Sequence, residues 1–503
     1  MFRDFKRKYF VDYLLSGGGL FLLALFVGKF YYLVELPLSL SYDESYYWDW
    51  SRALDWGYYS KPPMIAWLIY LSTKYLGNTE WAVRLPALLC NTFALALGYV
   101  LMSRHFGFSA GRLFLFTLAF TPIFWVYSFV MTIDPPLILF WMLSFYGLVN
   151  FITNPSCLWA ILTGISIGLG MLTKQTMFVF IPLGLIYLYL FDKNLLWNFR
   201  TLVIPLIALL IYLPNLVWNI EKGFVLFVHT AEHFGKTSLS LKYYLSFFGG
   251  LFILFGVFFV PLFLSLGFKL FSFILRQYLN MAKKPSEKEE GSGLKVLLLA
   301  YVFSFPPLVL LFLLAFFKVI NHNWIMPFFL TSYLWVSYLA MGSRRRRLLL
   351  YVNLFISLSL SLVISHLPKK PNLLPFGGDK PVIEIFYKFM GWRELSEEVK
   401  RWYDGTLPLL TSHREIASSL AFYLPEHPHP YVLNLENKIN NQYHLWRSDA
   451  ELQGKEVFLV KKHLDEPPYL REAKKLGEVI LKVGKKEKVY SLWKGIFIKG
   501  GER

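Results

Sequence analysis

Residues 13–34 read YLLSGGGLFLLALFVGKFYYLV. A membrane-spanning helix needs about 20 mostly apolar residues, and this run supplies them directly behind the basic residues Arg3, Lys6, Arg7 and Lys8. No small-residue cleavage site follows at the right place, so the run reads as a retained helix and not as a signal peptide. Ten further apolar runs follow, near 82–102, 112–131, 135–152, 158–173, 176–191, 201–219, 243–268, 295–317, 323–341 and 348–366. About eleven spans are expected. The fifth and sixth are short, and only Thr173-Lys174-Gln175 separates them.

The composition agrees with a polytopic α-helical membrane protein. Of 503 residues, 55% are hydrophobic, 19% are aromatic and only 17% are charged, against about 25% charged in an ordinary soluble domain. Disorder, a coiled coil and a collagen-like chain are excluded. The net charge of +18 would suit nucleic acid, but its placement suits topology. With the N-terminus cytoplasmic, the inner loops hold Arg104, Lys193, Arg200, Lys269, Arg276, Lys283, Lys284, Lys288 and Arg344–Arg347. The short outer turns hold only Lys174 and Lys318. Positive charge marks the cytoplasmic side, so the expected orientation is N-in and, after eleven spans, C-out. Cys90 and Cys157 lie in apolar runs and imply neither a disulfide framework nor a zinc site.

Beyond about residue 367 the pattern changes. Pro368, Pro371, Pro375 and Gly377-Gly378 read as a linker. Helical periodicity follows over Trp392–Tyr403 and Ile416–Phe422, and strand patterns over Leu407–Thr411, Tyr431–Leu435, Val457–Val460, Glu478–Val483 and Val489–Trp493. The expected organisation is a transmembrane catalytic domain over 1–366, with a first outer loop at 35–81, and a C-terminal α/β domain outside the membrane over 367–503. Met281–Gly293 reads as a solvated cytoplasmic loop.

Ionisable residues in or beside a span are costly, which makes each a functional candidate. The main ones fall on the outer side. The densest stretch is Ser41-Tyr42-Asp43-Glu44-Ser45-Tyr46-Tyr47-Trp48-Asp49-Trp50, continuing through Trp56-Gly57-Tyr58-Tyr59-Ser60-Lys61-Pro62-Pro63. Asp43 and Glu44 open a short helix, either as N-cap and first-turn acid or as catalytic carboxylates. Lys61 is a fixed cation near them, or a snorkelling anchor. Asp134, in Thr132-Ile133-Asp134-Pro135-Pro136, is a second outward carboxylate or another N-cap. Lys174 is a cation at a tight outer turn. Asn215, Trp218 and Asn219 precede Glu221, His229 and His233. The two histidines share a helix face and with Glu221 or Glu232 could bind a metal, but no third ligand has convincing spacing. His322, Asn323 and Trp324 form a polar, aromatic cluster suited to a sugar or a phosphate. No P-loop, Rossmann glycine pattern, H-E-x-x-H or G-x-S-x-G is present. A nucleotide donor is therefore unsupported, and an outer-face transferase needs a donor that has crossed the membrane.

Read together, these motifs carry a family resemblance. Tyr42-Asp43-Glu44, Trp56-Gly57-Tyr58, Lys61-Pro62-Pro63 and Ala82-Val83-Arg84-Leu85-Pro86 resemble the start of the GT-C glycosyltransferases. Thr132-Ile133-Asp134-Pro135-Pro136, Gly168–Lys174, Leu213-Pro214-Asn215, Trp218-Asn219, Asn323-Trp324 and Gln442–Trp446 follow in order. The nearest group is the bacterial dolichyl-phosphate-mannose-protein mannosyltransferase-like proteins, relatives of the lipid A aminoarabinose and galacturonic acid transferases. The resemblance implies a polyprenyl-phosphate sugar donor, inversion at the anomeric carbon, and an envelope acceptor such as lipid A or lipopolysaccharide core. The expected location is the periplasmic face of the bacterial inner membrane. It implies Asp43 as general base with Glu44 beside it and Asp134 as a second site carboxylate. Lys61, Arg84 and Lys174 are implied holders of the donor phosphate, and Tyr42, Tyr58, Tyr59, Asn215, Trp218, Asn219, His322, Asn323 and Trp324 line the substrates. An Arg expected soon after the acidic pair is replaced here by Ser45-Tyr46. No cofactor is assigned, and a divalent metal stays open. The alternatives are protein O-mannosylation and movement of a lipid-linked sugar across the bilayer. A transporter would show repeats and midplane charges, which this sequence lacks.

Overall fold

The run that opens the chain is helical over Gly17–Val34. In the computed structural model, residues 13, 15–233, 239–279, 292–369, 386–483 and 486–499 are described. Among them, seven helices are long and apolar enough to cross a membrane: Gly17–Val34, Glu80–Phe106, Asp134–Thr153, Phe199–Glu221, Phe259–Arg276, Ser292–Leu314 and Arg344–His366. Five shorter apolar helices accompany them, among them Cys157–Met171 and Met326–Met341. The chain is a multi-pass α-helical membrane protein.

Two expected runs divide. The run 243–268 becomes the helices Leu241–Phe255 and Phe259–Leu279. Gly256 sits at the break with φ +122°, a conformation open to glycine. A Cβ there would lie 2.4 Å from Asn353 Oδ1. That oxygen accepts the N–H groups of Phe258 and Phe259, at 3.0 and 3.2 Å, and so satisfies donors that a new helix start leaves orphaned. The run 112–131 becomes Phe108–Ala119 and a short helix, Pro122–Val126. The loop Met281–Gly293 and the proline-glycine linker after residue 367 lie mostly outside the described residues.

The chain gathers into two compact units. One contains Met1–Val34, Leu85–Trp218 and Ala231–Val363, and is the helical bundle. Its close approaches rest on small residues, as membrane helices require. At Gly164 a Cβ would meet Ile204 O at 2.7 Å, and at Gly168 it would meet Ile211 Cβ at 2.7 Å. The helix Cys157–Met171 is thereby seated on Phe199–Glu221, just before Lys174.

The other unit contains Glu35–Arg84, Asn219–Thr230 and Ile364–Arg503. It joins the loop after the first span to the C-terminal stretch, although composition alone divides them at residue 367. Its strands are β1 (Leu409–Thr411), β2 (Tyr431–Val432), β3 (Glu456–Lys462), β4 (Leu470–Val483) and β5 (Lys486–Phe497). They form one sheet in the order β2-β1-β3-β5-β4. β1 is parallel to β2 and β3, and β5 is antiparallel to β3 and β4. Strand side chains alternate between faces. Phe458 and Val460 join one core with Leu409, Leu492, Trp392, Ile416 and Leu420, while Val457 and Leu459 join a second with Leu410, Trp493 and Phe497. The helices Trp392–Lys400 and Arg414–Tyr423 cover the first face, and the helix Tyr42–Ser51 packs against Arg414–Tyr423.

Candidate active site

The helix Tyr42–Ser51 begins with a capping box: Ser41 Oγ accepts the Glu44 N–H at 3.2 Å, and Glu44 Oε2 accepts the Ser41 N–H at 2.9 Å. Ser41 is therefore the N-cap, and Asp43 is released from that duty. Glu44 is wholly buried, and Arg84 is 1% exposed. Arg84 Nε and Nη2 donate to the two Glu44 oxygens at 2.9 and 3.0 Å, and its Nη1 and Nη2 donate to the carbonyls of Leu38 and Ser39. This bidentate pair fixes the loop between the first span and the helix. It occupies the guanidinium that the resemblance assigned to a phosphate and the carboxylate it set beside the base.

Asp43, one residue earlier, is 30% exposed and lies between two cations. Arg414 Nη2 donates to Oδ1 at 3.2 Å, and Lys388 Nζ lies 3.8 Å from Oδ2. Arg414 also sits over the rings of Tyr42 and Tyr46, at 5.6 and 4.9 Å, and Lys388 over Tyr42 at 5.4 Å. Burial works against the Arg414 charge, but Asp43 and the hydroxyls of Tyr46 and Tyr47 outweigh it and hold the guanidinium above its ordinary value. The result is an accessible, oriented carboxylate whose free lone pairs can accept a proton.

The substrate-lining candidates of this unit divide. Tyr42 borders Asp43. Tyr58 is wholly buried: its ring stacks on Trp50 at 4.6 Å, and its hydroxyl donates to the carbonyls of Trp50 and Ala53. It braces the loop and presents no face to a sugar. Tyr59 N–H donates to Gln442 Oε1 at 2.7 Å, and its ring lies 5.0 Å from that of His229. The Lys61 carbonyl accepts the Tyr58 N–H and closes the same turn. Asn219 is fully buried near the end of the helix Phe199–Glu221.

A second cluster belongs to the bundle and unites three sequence motifs. Asp134 is 2% exposed and opens the helix Asp134–Thr153 at its first residue, with Ile133 as the cap. Lys174 Nζ donates to Asp134 Oδ1 at 2.7 Å, and Asn323 Nδ2 donates to Oδ2 at 3.0 Å. Thr132 Oγ1 donates to Oδ2 at 3.3 Å and accepts the Asp134 N–H at 3.2 Å. His322 stacks on Phe247 at 5.3 Å and bonds its carbonyl, a packing role. Trp324 follows Asn323 in the same short helix, His322–Trp324. Asn215 and Trp218 are buried in the helix Phe199–Glu221.

Among the described residues, no three His, Cys, Asp or Glu side chains come together as a metal set. Glu221 ends the helix Phe199–Glu221, while the side chain of His233 lies outside the described residues. The chemistry of the donors also disfavours a divalent ion, because Asp43 and Asp134 already carry side-chain cations. The described residues do not fit such a metal.

Three cations with defined partners escaped the sequence. Arg414 and Lys388 sit among the many ordinary charges of the C-terminal domain. Arg414 does begin the helix that follows β1, at the carboxyl end of a parallel strand, where α/β sheets tend to place ligands. Lys29 is buried within the first span: its Nζ donates to Ser128 Oγ at 3.0 Å and lies over the Trp125 ring at 4.4 Å.

Residues 60–218 match the family model for dolichyl-phosphate-mannose-protein mannosyltransferase. The lipid A galacturonosyltransferase RgtD of Rhizobium johnstonii is 26% identical over 436 residues, 83% of this chain and 85% of that protein. The crystal structure of ArnT from Cupriavidus metallidurans bound to undecaprenyl phosphate superposes with a TM-score of 0.58 at 14% identity, covering 95% of this chain and 98% of that one. Its apo form gives 0.56 at 15% identity, covering 94% and 97%. The shared fold spans nearly the whole chain: this protein has the multi-pass membrane fold of ArnT, and its sequence is similar to that of sugar-transferring enzymes.

Proposed function

We propose that the protein moves a sugar from a polyprenyl-phosphate donor onto an envelope glycolipid, with lipid A or lipopolysaccharide core as acceptor. The reaction takes place at the periplasmic face of a bacterial inner membrane. The acceptor is read from the likeness to RgtD, and the donor from the likeness to an undecaprenyl-phosphate-bound ArnT. The observation that carries the chemistry is Asp43, accessible and oriented by Arg414.

In this reading Asp43 accepts the proton of the acceptor hydroxyl as its oxygen attacks the anomeric carbon. The bond from that carbon to the phosphate oxygen breaks, and polyprenyl phosphate leaves with the electron pair. General-base assistance of this kind is worth about 10²–10⁴-fold. Lys174, held by Asp134 and Asn323, is the cation we assign to the charge growing on the leaving phosphate, with Lys61 as a second. Arg84 and Glu44 keep the loop in shape. The match to a protein mannosyltransferase model favours one second reading, in which the attacking hydroxyl belongs to a protein.

The test is to incubate the purified full chain with a polyprenyl-phosphate sugar and lipid A. A sugar-sized mass gain on lipid A with release of polyprenyl phosphate is expected. Gain on a protein hydroxyl instead would favour the second reading. Passage of the sugar across proteoliposomes without bond formation would contradict both.

A further inference from the structure

The unit that holds Asp43 contains an opening that this mechanism does not use. Its cavity of about 160 Å³ is lined by Asp49, Ala53, His429, Tyr443, Trp446 and Arg447. One water needs roughly 10–15 Å³ on this measure, so the space suits a ring-sized ligand. Asp49 lies six residues after Asp43 on the helix Tyr42–Ser51. At 1.5 Å per residue and 100° per step, that places it about 9 Å along the axis and on a different face.

The lining is complementary to a charged carbohydrate. Asp49 is 1% exposed. Its Oδ1 accepts from Arg52 Nη1 at 3.0 Å and its Oδ2 from the Tyr443 hydroxyl at 2.8 Å, which leaves acceptor capacity for sugar hydroxyls. Arg52 is held in turn by the carbonyls of His427 and Pro428 and by His429 Nε2. The rings of Tyr443 and Trp446 meet at 84° with centroids 5.8 Å apart, a corner that can take the apolar face of a pyranose. Arg447 is exposed at the rim. Its Nη1 bonds only weakly to the His429 carbonyl, at 3.4 Å, and its guanidinium lies over the Tyr431 ring at 5.3 Å. Among the described residues no carboxylate lies within ion-pair distance of it, although its charge acts on Asp49 across the cavity. A planar guanidinium at an exposed rim suits a phosphate or carboxylate group.

We propose that this cavity seats a sugar ring bearing a phosphate or carboxylate: the acceptor residue next to the one whose hydroxyl meets Asp43. The proposal rests on the reading of Asp43 as the base only for the word acceptor. The cavity's preference for an anionic sugar stands on its own lining. Arg447 supplies the charge contact, Trp446 the stacking face, and Asp49 the hydroxyl acceptor.

The experiment uses the full-length protein in nanodiscs. Saturation-transfer NMR with glucose 6-phosphate, galacturonate and neutral glucose should show transfer to the two anionic sugars and little to glucose. The signal should be lost in Arg447→Ala and Trp446→Ala, and kept in Asp43→Asn. In turnover assays Arg447→Ala should raise the KM for the acceptor about tenfold, the scale of one charged hydrogen bond, while donor KM and kcat change by less. Arg447→Lys should recover part of the loss, which a merely structural role would not show. Equal signals from glucose and the anionic sugars, or an unchanged acceptor KM, would overturn the proposal. A rise in donor KM instead would assign the cavity to the donor sugar and also overturn it. Full turnover by Asp43→Asn would remove the base reading while leaving the binding result to decide the cavity.

Discussion

Arg414 Nη2 lies 3.2 Å from Asp43 Oδ1, across 371 residues of sequence. The pair ties the loop after the first span to the helix that follows β1, and makes the C-terminal domain part of the environment of the proposed base.

Arg414 touches Asp43 and not the reacting atoms in the reading above, so it is a positioning residue. Arg414→Ala should lower kcat by about 10²-fold, the scale of a misplaced reacting group, with little change in acceptor KM. Arg414→Lys should recover part of it. Combined with Asp43→Asn, the Ala substitution should cost almost nothing more, because the two act as a unit. Steady-state kinetics of the four proteins checks this.

Glu44 and Arg84 predict a different phenotype. Breaking a buried ion pair strands a charge and costs about 3–5 kcal/mol. Glu44→Gln should therefore sharply lower the melting temperature in detergent, whereas Asp43→Asn should leave it near the wild-type value. Comparable melting of the two variants would make Glu44 something other than a structural anchor.

Lys174 and Asp134 are coupled by the same logic. Lys174→Met leaves the Asp134 carboxylate buried without its cation. It should both destabilise the bundle and raise donor KM. Adding Asp134→Asn should restore melting but not the affinity for the donor. Restoration of both would remove Lys174 from phosphate binding.

Asp49 gives a pH signature. Burial pushes its carboxyl up to about 6, against the pull of Arg52 and the Tyr443 hydroxyl. Between an unfolded value of about 4 and this folded value, the native state keeps a proton that the unfolded chain has lost. Stability from this group is thus full below about pH 4 and is lost as pH rises through 6, by roughly 3 kcal/mol in all. Asp49→Asn removes the dependence. Its melting temperature relative to wild type should move upward between pH 4.5 and pH 7. Melting curves that stay parallel across this range would contradict the assignment.

The helical bundle was legible because a 20-residue apolar run has few other readings. The break at Gly256 was not: a glycine inside an apolar run gives no polarity signal, and its partner Asn353 is almost a hundred residues away. Asp43 and Asp134 both looked like N-caps from sequence. Ser41 and Ile133 hold those positions instead, and which of several adjacent residues caps a helix depends on backbone angles that spacing alone does not fix. Asp134, Lys174 and Asn323 were each singled out, but nothing local says that they meet, since they stand 40 and 189 residues apart. Arg84 was visible as a cation, whereas its burial against Glu44 depends on how the loop folds back. The short strand pair of β1 and β2 was legible as β pattern, but only two residues of 431–435 are paired, because pairing ends where the partner strand does.

The central claim is that Asp43 takes the acceptor proton. Its most direct test is single-turnover transfer by purified Asp43→Asn, with donor binding and melting temperature measured on the same preparation. The account predicts unchanged melting, retained donor binding and a loss in transfer rate of about 10²-fold or more. Wild-type transfer by that variant would contradict it.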